Sequence, residues 1–277
     1  MGQLNLEILE SDFNKKSTSA YELSILFGMD SFLYSVTDDK NRILLLRDFS
    51  VAGADAQLAA LDEDPLLPLL FRKAKVAFQS PAHCLVPDRL FHDAHKATYL
   101  TGVAGEVPPE TVQSCPVPVV PAHLVFQPEP ALFQKVKSLI PTAHFYHMGC
   151  PLILSAHKMG GFSKDQVLFV NIRDRFIQIV LFEKRNLLLF NQNRFETSRD
   201  ALYHLLLVFS QFKLSTEETP VWVSGQIMEN SELYTLFYRY IKNLQLVPAP
   251  DFVQLGKRFG KTSPHLYYDL FSLCLCH

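Results

Sequence analysis

The feature that most constrains this chain is an echo of itself. Residues 21–48 lie on residues 166–193 at a constant shift of 145, without a gap. Leu23, Ile25 and Phe27 then fall on Leu168, Val170 and Ile172, and Phe32, Tyr34 and Val36 fall on Ile177, Ile179 and Leu181. The polar run Asp38-Asp39-Lys40-Asn41 falls on Glu183-Lys184-Arg185-Asn186, and Ile43-Leu44-Leu45 on Leu188-Leu189-Phe190. Alternation of period two, broken by polar turns, predicts a three-stranded antiparallel meander that occurs twice, in two separate sheets. Only three aligned positions are identical, and any two meanders share such a pattern, so the case for duplication rests on the elements after each meander. After the second comes an amphipathic helix over Ser198–Phe212, capped by Thr197 or Ser198, and then a buried strand over 219–226. After the first comes a helix expected over 64–72, interrupted by Pro65 and Pro68, and then a strand over 75–79.

The resulting organisation is α/β, with two lobes each built as βββαβα. The first lobe is assigned to residues 1–160, the second to 161–277, and Gly160-Gly161 is the joint. Between them, helices are expected over 88–100, 129–140 and 151–158, and a strand over 143–148. Seven prolines between Pro108 and Pro130 mark a small insertion around 102–130, read as exposed connections around edge strands. Its Val117, Val119, Val120, Leu124, Val125 and Phe126 are expected to offer an apolar contact patch, the alternative being an ordinary edge strand of the first lobe. A C-terminal helix over 264–277 is expected to pack back on the first lobe.

Composition narrows the function. A formal charge of −2 and no Lys/Arg run give no basis for nucleic-acid binding. Five cysteines, an odd number without CxxC spacing, fit reduced thiols in the cytoplasm. The opening MGQLNLEILESDF is too acidic for a signal peptide, and no apolar run is long enough for a membrane span. His92 and His95 share a face of an expected helix but lack a third metal ligand, while His144 and His147 point to opposite faces of a strand. The tail Cys274-x-Cys276-His277 reads as the apolar end of a helix, and GKRFGKTS over 256–263 falls one residue short of a phosphate-binding loop. No catalytic triad motif occurs, so no catalytic residue and no metal ligand are assigned.

A repeated βββαβα unit with a glycine joint resembles the actin-like ATPase superfamily, a ribonuclease H-like fold shared by actin, heat-shock chaperones and sugar kinases. It is similar in size to the actin-like proteins of type IV pilus assembly and type II secretion. The stretch HCLVPDRLF (83–91), the hairpin from Val167 and the ending SPHLYYDLFSLCLCH (263–277) resemble a Bacteroidetes family of unknown function, DUF3822. The superfamily resemblance implies Asp-x-Gly at the first hairpin of each lobe, the carboxylate organising Mg²⁺ and the glycine admitting phosphate to backbone amides. Here those stretches read Leu26-Phe27-Gly28 and Asn171-Ile172-Arg173, and the adenosine stretch reads Ser224-Gly225-Gln226.

Gly28, Asp30, Asn171, Arg173, Arg175, Ser224 and Gly225 are therefore the candidate lining of a degenerate nucleotide site. With both metal-organising carboxylates replaced, no cofactor is expected, and the chain reads as a non-hydrolysing scaffold for an unknown protein partner or for itself. The alternative is a nucleotide-binding protein or weak ATPase, in which ATP and Mg²⁺ meet a rebuilt site at Asp30, or Arg173 and Arg175 hold the phosphate directly.

Overall fold

A computed structural model describes residues 3–160 and 166–277. Two compact units emerge: Met1–Pro151 with Asp251–Thr262 and Leu270–His277, and Leu152–Pro250 with Ser263–Asp269. The second glycine of the expected joint, Gly161, lies outside the described residues.

Unit 1 begins with β1 (Gln3–Leu9), then the meander β2 (Glu22–Phe27), β3 (Ser31–Thr37) and β4 (Ile43–Ser50), helix α1 (Gly53–Glu63) and strand β5 (Lys73–Phe78). An inserted module comes next: β6 (His83–Pro87), α2 (Lys96–Ala104), β7 (Gln113–Val117) and β8 (Ala122–Phe126). Helix α3 (Pro130–Leu139), β9 (Ala143–His147) and the start of α4 (Gly149–Gly160) complete it. Unit 2 carries the second meander, β10 (Gln166–Arg173), β11 (Phe176–Glu183) and β12 (Asn186–Arg194). Then come α5 (Ser198–Phe212), β13 (Val221–Gly225), α6 (Glu232–Tyr240) and β14 (Leu244–Leu246); a last short helix, α7, spans Tyr268–Ser272.

The main sheets run β1-β4-β3-β2-β5-β9 and β12-β11-β10-β13-β14. Without β1 the two orders are the same, each an antiparallel meander extended by two parallel strands. The repeat is thus an architectural fact in two separate sheets. The first hairpins also agree in register: Phe27 faces Phe32, and Ile172 faces Ile177 at the shift of 145. The third strands do not keep that shift. Val36 pairs with Leu45 while Leu181 pairs with Leu189, so the counterpart of Leu45 is Leu189 rather than Phe190. The cause is the turn. Lys184 and Arg185 both adopt positive φ, 49° and 72°, closing a tight two-residue connection, whereas the first meander uses a longer turn around Asn41. One residue of slip reverses the facing of every side chain beyond it, so a gap-free alignment misplaces this strand.

In unit 2, Leu168, Val170 and Ile172 of β10 and Ile177, Ile179 and Leu181 of β11 pack beneath Ala201, Leu205 and Val208 of α5. Thr197 and Asp200 close a reciprocal cap at the start of α5, and Lys213 ends it in the left-handed conformation.

Several expectations require correction. The helix after the first meander is α1, upstream of 64–72, because Pro65 and Pro68 cannot continue a helix and Asp64 is extended. Asp64 instead accepts the amide of Leu66 at 2.8 Å in a turn. The expected helix over 88–100 is two single 3₁₀ turns and then α2. The insertion starts earlier than 102, and its three strands form their own sheet, β6-β8-β7. Val117, Leu124, Val125 and Phe126 are buried there, Val86, Leu100, Val112 and Val125 forming a small core beneath α2, so no apolar patch lies over them. The C-terminal helix is instead a chain of short pieces, and it divides between units at Asp269.

Candidate functional site

Each unit places the hairpin turn of its meander beside a parallel strand, and these turns are where the resemblance puts phosphate contacts. In unit 1, Leu26 is buried and Gly28 closes the turn, its amide donating to the Ser31 carbonyl at 2.9 Å. The Gln57 amide group of α1 donates to the carbonyls of Gly28 and Ser31 at 2.8 and 3.1 Å. Asp30 is exposed, and its carbonyl accepts the amide of Val51. A recess of about 100 Å³ remains beside Gly28, lined by Met29, Gly53, Gln57, Phe78 and Gln79, with Glu129 at its wall. That carboxylate is engaged in capping α3, accepting the amide of Leu132 at 2.6 Å. It still sets negative charge against any phosphate entering there.

Unit 2 brings four candidates together. Asn171 and Ser224 face one another in the parallel ladder of β10 and β13, and the Ser224 hydroxyl donates to Asn171 Oδ1 at 2.8 Å. Asn171 Nδ2 donates to Gln178 at 3.0 Å and to Asp269 at 3.3 Å. Gly225 has φ +85°, and a Cβ on it would lie 2.0 Å from the Ile172 carbonyl oxygen. Close approach to β10 therefore accounts for this glycine without any nucleotide.

Arg173 is the decisive residue. It is 1% exposed, the largest side chain to be fully buried, and its guanidinium grips Asp269 through Nε–Oδ2 at 2.5 Å and Nη2–Oδ1 at 3.0 Å. The same Nη2 donates to the Leu266 carbonyl at 2.8 Å. A fork matched to a carboxylate is the strongest pairing this side chain makes, and here the carboxylate belongs to the chain's own tail. The turn beyond is closed too: the Asp174 amide donates to Gln226 Oε1 at 2.8 Å. Asp174 and Arg175 adopt positive φ, 50° and 60°. Arg175 is exposed and pairs with Glu196 at 3.3 Å, apart from the cluster.

Of the two arginines, Arg175 is thus solvent-exposed and Arg173 is buried. Three partners went unassigned from sequence: Asp269, Gln178 and Gln226. A signal for the first existed. Asp269 is the only acidic residue between 252 and 277, set in the apolar run LYYDLF, where a lone carboxylate needs a buried cation. Among the described residues, no group of three or more His, Cys, Asp or Glu is arranged to hold a metal ion. His92 and His95 sit on an exposed 3₁₀ turn, and Cys274, Cys276 and His277 differ in exposure from half-buried to buried to exposed.

Comparison with known proteins places the chain. Residues 10–244 match the family described as "Protein of unknown function (DUF3822)". The chain belongs to that family. A Bacteroides thetaiotaomicron protein, described as having an actin-like ATPase fold and unknown function, superimposes on this DUF3822 chain with a TM-score of 0.81. The two share 18% identity over 96% of this chain and 99% of the other. A chain of the PilM–PilN type IV pilus biogenesis complex superimposes with a TM-score of 0.60 and 14% identity, over 92% of this chain and 97% of that one. No curated protein matches the sequence. The DUF3822 chain therefore has the actin-like ATPase fold. No helix among its described residues is long and apolar enough to cross a membrane.

Proposed function

We propose that this DUF3822 protein is a non-hydrolysing actin-like module that works by binding another protein, its nucleotide cradle closed by its own tail. The observation that carries the reading is the buried, bidentate Arg173–Asp269 pair. Mg-ATP chemistry in this fold calls for carboxylates at the two hairpins. The corresponding positions hold buried Leu26 and an Asn171 already bonded to Ser224, Gln178 and Asp269. The carboxylate that does stand there, Asp269, already neutralises Arg173 and accepts from Asn171. Direct phosphate binding by Arg173 would have to break a buried ion pair, a step that costs several kcal/mol. The binding half of the proposal is supported by the similarity to a chain solved in a pilus biogenesis complex. Five free cysteines fit a cytoplasmic address.

The test is a thermal-shift series with ATP, ADP and GTP, with and without Mg²⁺, alongside phosphate release. A ligand at 100 times its Kd adds about 2.7 kcal/mol, which a melting curve resolves readily. We expect neither a shift nor turnover. Mg²⁺-dependent turnover abolished by Asp30→Ala would overturn the reading and locate a rebuilt site on that carboxylate.

A further inference from the structure

Helix α6 of unit 2 buries one side and turns a charged and aromatic face outward. Phe237 is buried in the core, with Leu233, Tyr234 and Leu236 packed beside it. At about 100° per residue, the side opposite Phe237 carries Glu232, Thr235 and Arg239, all exposed. Tyr238 flanks that stripe at 55% exposure, its ring stacked on Tyr234 at 6.2 Å. Glu232 and Arg239 lie two turns apart, about 10 Å along the axis, too far to pair with each other. Among the described residues, neither side chain is ion-paired or hydrogen-bonded to another. Tyrosine and arginine are the residues that most often anchor a protein interface.

This face is complementary to itself. An antiparallel second copy of α6, related by a two-fold axis near Thr235, sets Glu232 of each copy against Arg239 of the other. Thr235, the smallest side chain of the stripe, lies at the crossing and lets the two backbones approach, while Tyr238 of each copy flanks the contact. Opposite charges that exchange places about a two-fold axis are what a symmetric contact requires, whereas a partner of uniform charge would meet repulsion at one end. We propose that α6 is the contact helix of a symmetric dimer of this chain, its two copies crossing antiparallel at Thr235 and joined by reciprocal Glu232–Arg239 ion pairs. Two helices of nine residues bury less area than a tight interface does, so the pair is reversible, with a Kd on the order of 100 μM. The contact goes beyond the function proposed above and does not depend on it.

The test is sedimentation velocity on the full chain from about 10 μM to about 1 mM, a range that spans such a Kd. Wild type should pass from monomer to dimer across it. Glu232→Arg sets arginine against arginine at both ends, and Arg239→Glu sets glutamate against glutamate. Each should weaken self-association by about tenfold or more. Mixing the two variants should restore association at least to the wild-type level, because each supplies the charge that the other lacks. Both charges also suit the ends of their own helix, so either reversal lowers the melting temperature slightly; recovery on mixing is a readout which that effect does not move. If one variant fails to fold, the double exchange, Glu232→Arg with Arg239→Glu, takes its place: it should dimerise with itself and not with wild type. A monomer throughout the range, single variants that still pair, a mixture that stays monomeric, or a double exchange that pairs with wild type would overturn the proposal. None of these results bears on ATP turnover, and turnover would leave the dimer standing.

Discussion

At the scale of single residues, the telling contrast is between two buried ionisable groups with opposite fates. The charge of Arg173 is compensated in the core by Asp269, and removing either partner leaves an uncompensated ion there. Asp269→Ala is expected to cost about 3–5 kcal/mol by urea denaturation, while the paired change Arg173→Met with Asp269→Leu should recover most of it. If the double variant proves as unstable as the single one, the surrounding polar groups, Asn171 and the Leu266 carbonyl, hold the cluster more than the charges do. His147 is the opposite case. It is fully buried, its Nδ1 accepts the Gly149 amide at 2.9 Å, and its Nε2 donates to the Ser80 carbonyl at 3.0 Å, which fixes the neutral tautomer. Burial, then the neighbouring His83 ring stacked at 4.3 Å, hold its pKa well below the usual 6.5. The unfolded chain therefore binds a proton that the native state refuses. The contribution of His147 should be level above about pH 6.5 and fall by about 1.4 kcal/mol per pH unit below it, and His83, whose pKa burial also lowers, adds to the slope. His147→Gln should reduce the slope, and an unchanged slope would assign the acid sensitivity to other groups.

At the scale of elements, the sequence made legible whatever local pattern controls. The hairpins β2–β3 and β10–β11 alternate cleanly and their register is readable from that alternation, and α5 is marked by Thr197 and a regular apolar stripe. Elements governed by tertiary context were less visible. β14 has only three residues and no pattern of its own, whereas β1 alternates but is mostly exposed, and α6 is capped by Ser231 but presents Tyr234, Tyr238 and Tyr240 where a helix face is ordinarily charged. Pro65 and Pro68 pulled the expected helix downstream, although the alanine-rich run at 53–63 is the better helix former. In the site, the substitutions at Leu26, Asn171 and Arg173 are readable; the apolar run around Asp269 calls for a buried cation, but with 96 residues between them nothing local says that the cation is Arg173. The amphipathic reading of α5 can be tested directly. Leu205 is fully buried in the unit 2 core, so Leu205→Ala should cost about 2–5 kcal/mol. Tyr203 on the other face is 63% exposed, and Tyr203→Ala should stay within about 0.5 kcal/mol. Equal effects would mean that the outer face of α5 is covered in solution.

At the scale of the whole molecule, the tail contributes to both units. Ser263–Asp269 belongs to unit 2, where Asp269 neutralises Arg173 and His265 bonds the Ile227 carbonyl at 2.7 Å. Leu270–His277 belongs to unit 1, where Phe271 packs edge-on to Phe259, Lys75 donates to the Cys274 carbonyl at 3.3 Å, and Cys276 is buried. One short covalent segment thus supplies Asp269 to the buried Arg173 of unit 2 and buried side chains to the core of unit 1. This tail is then a structural requirement rather than a regulatory appendage. Ending the chain after Thr262 removes the counter-ion from one core and four buried apolar side chains, Leu270, Phe271, Leu273 and Cys276, from the other. Hydrogen exchange should accelerate in the strands of both units, β10 and β13 as well as β5 and β9. Asp269→Ala alone, by contrast, should accelerate exchange in β10 and β13 and leave β5 and β9 close to wild type. A truncated chain in which β5 and β9 exchange as slowly as in the full protein would show that unit 1 does not depend on the tail, and the structural role would then belong to Asp269 alone.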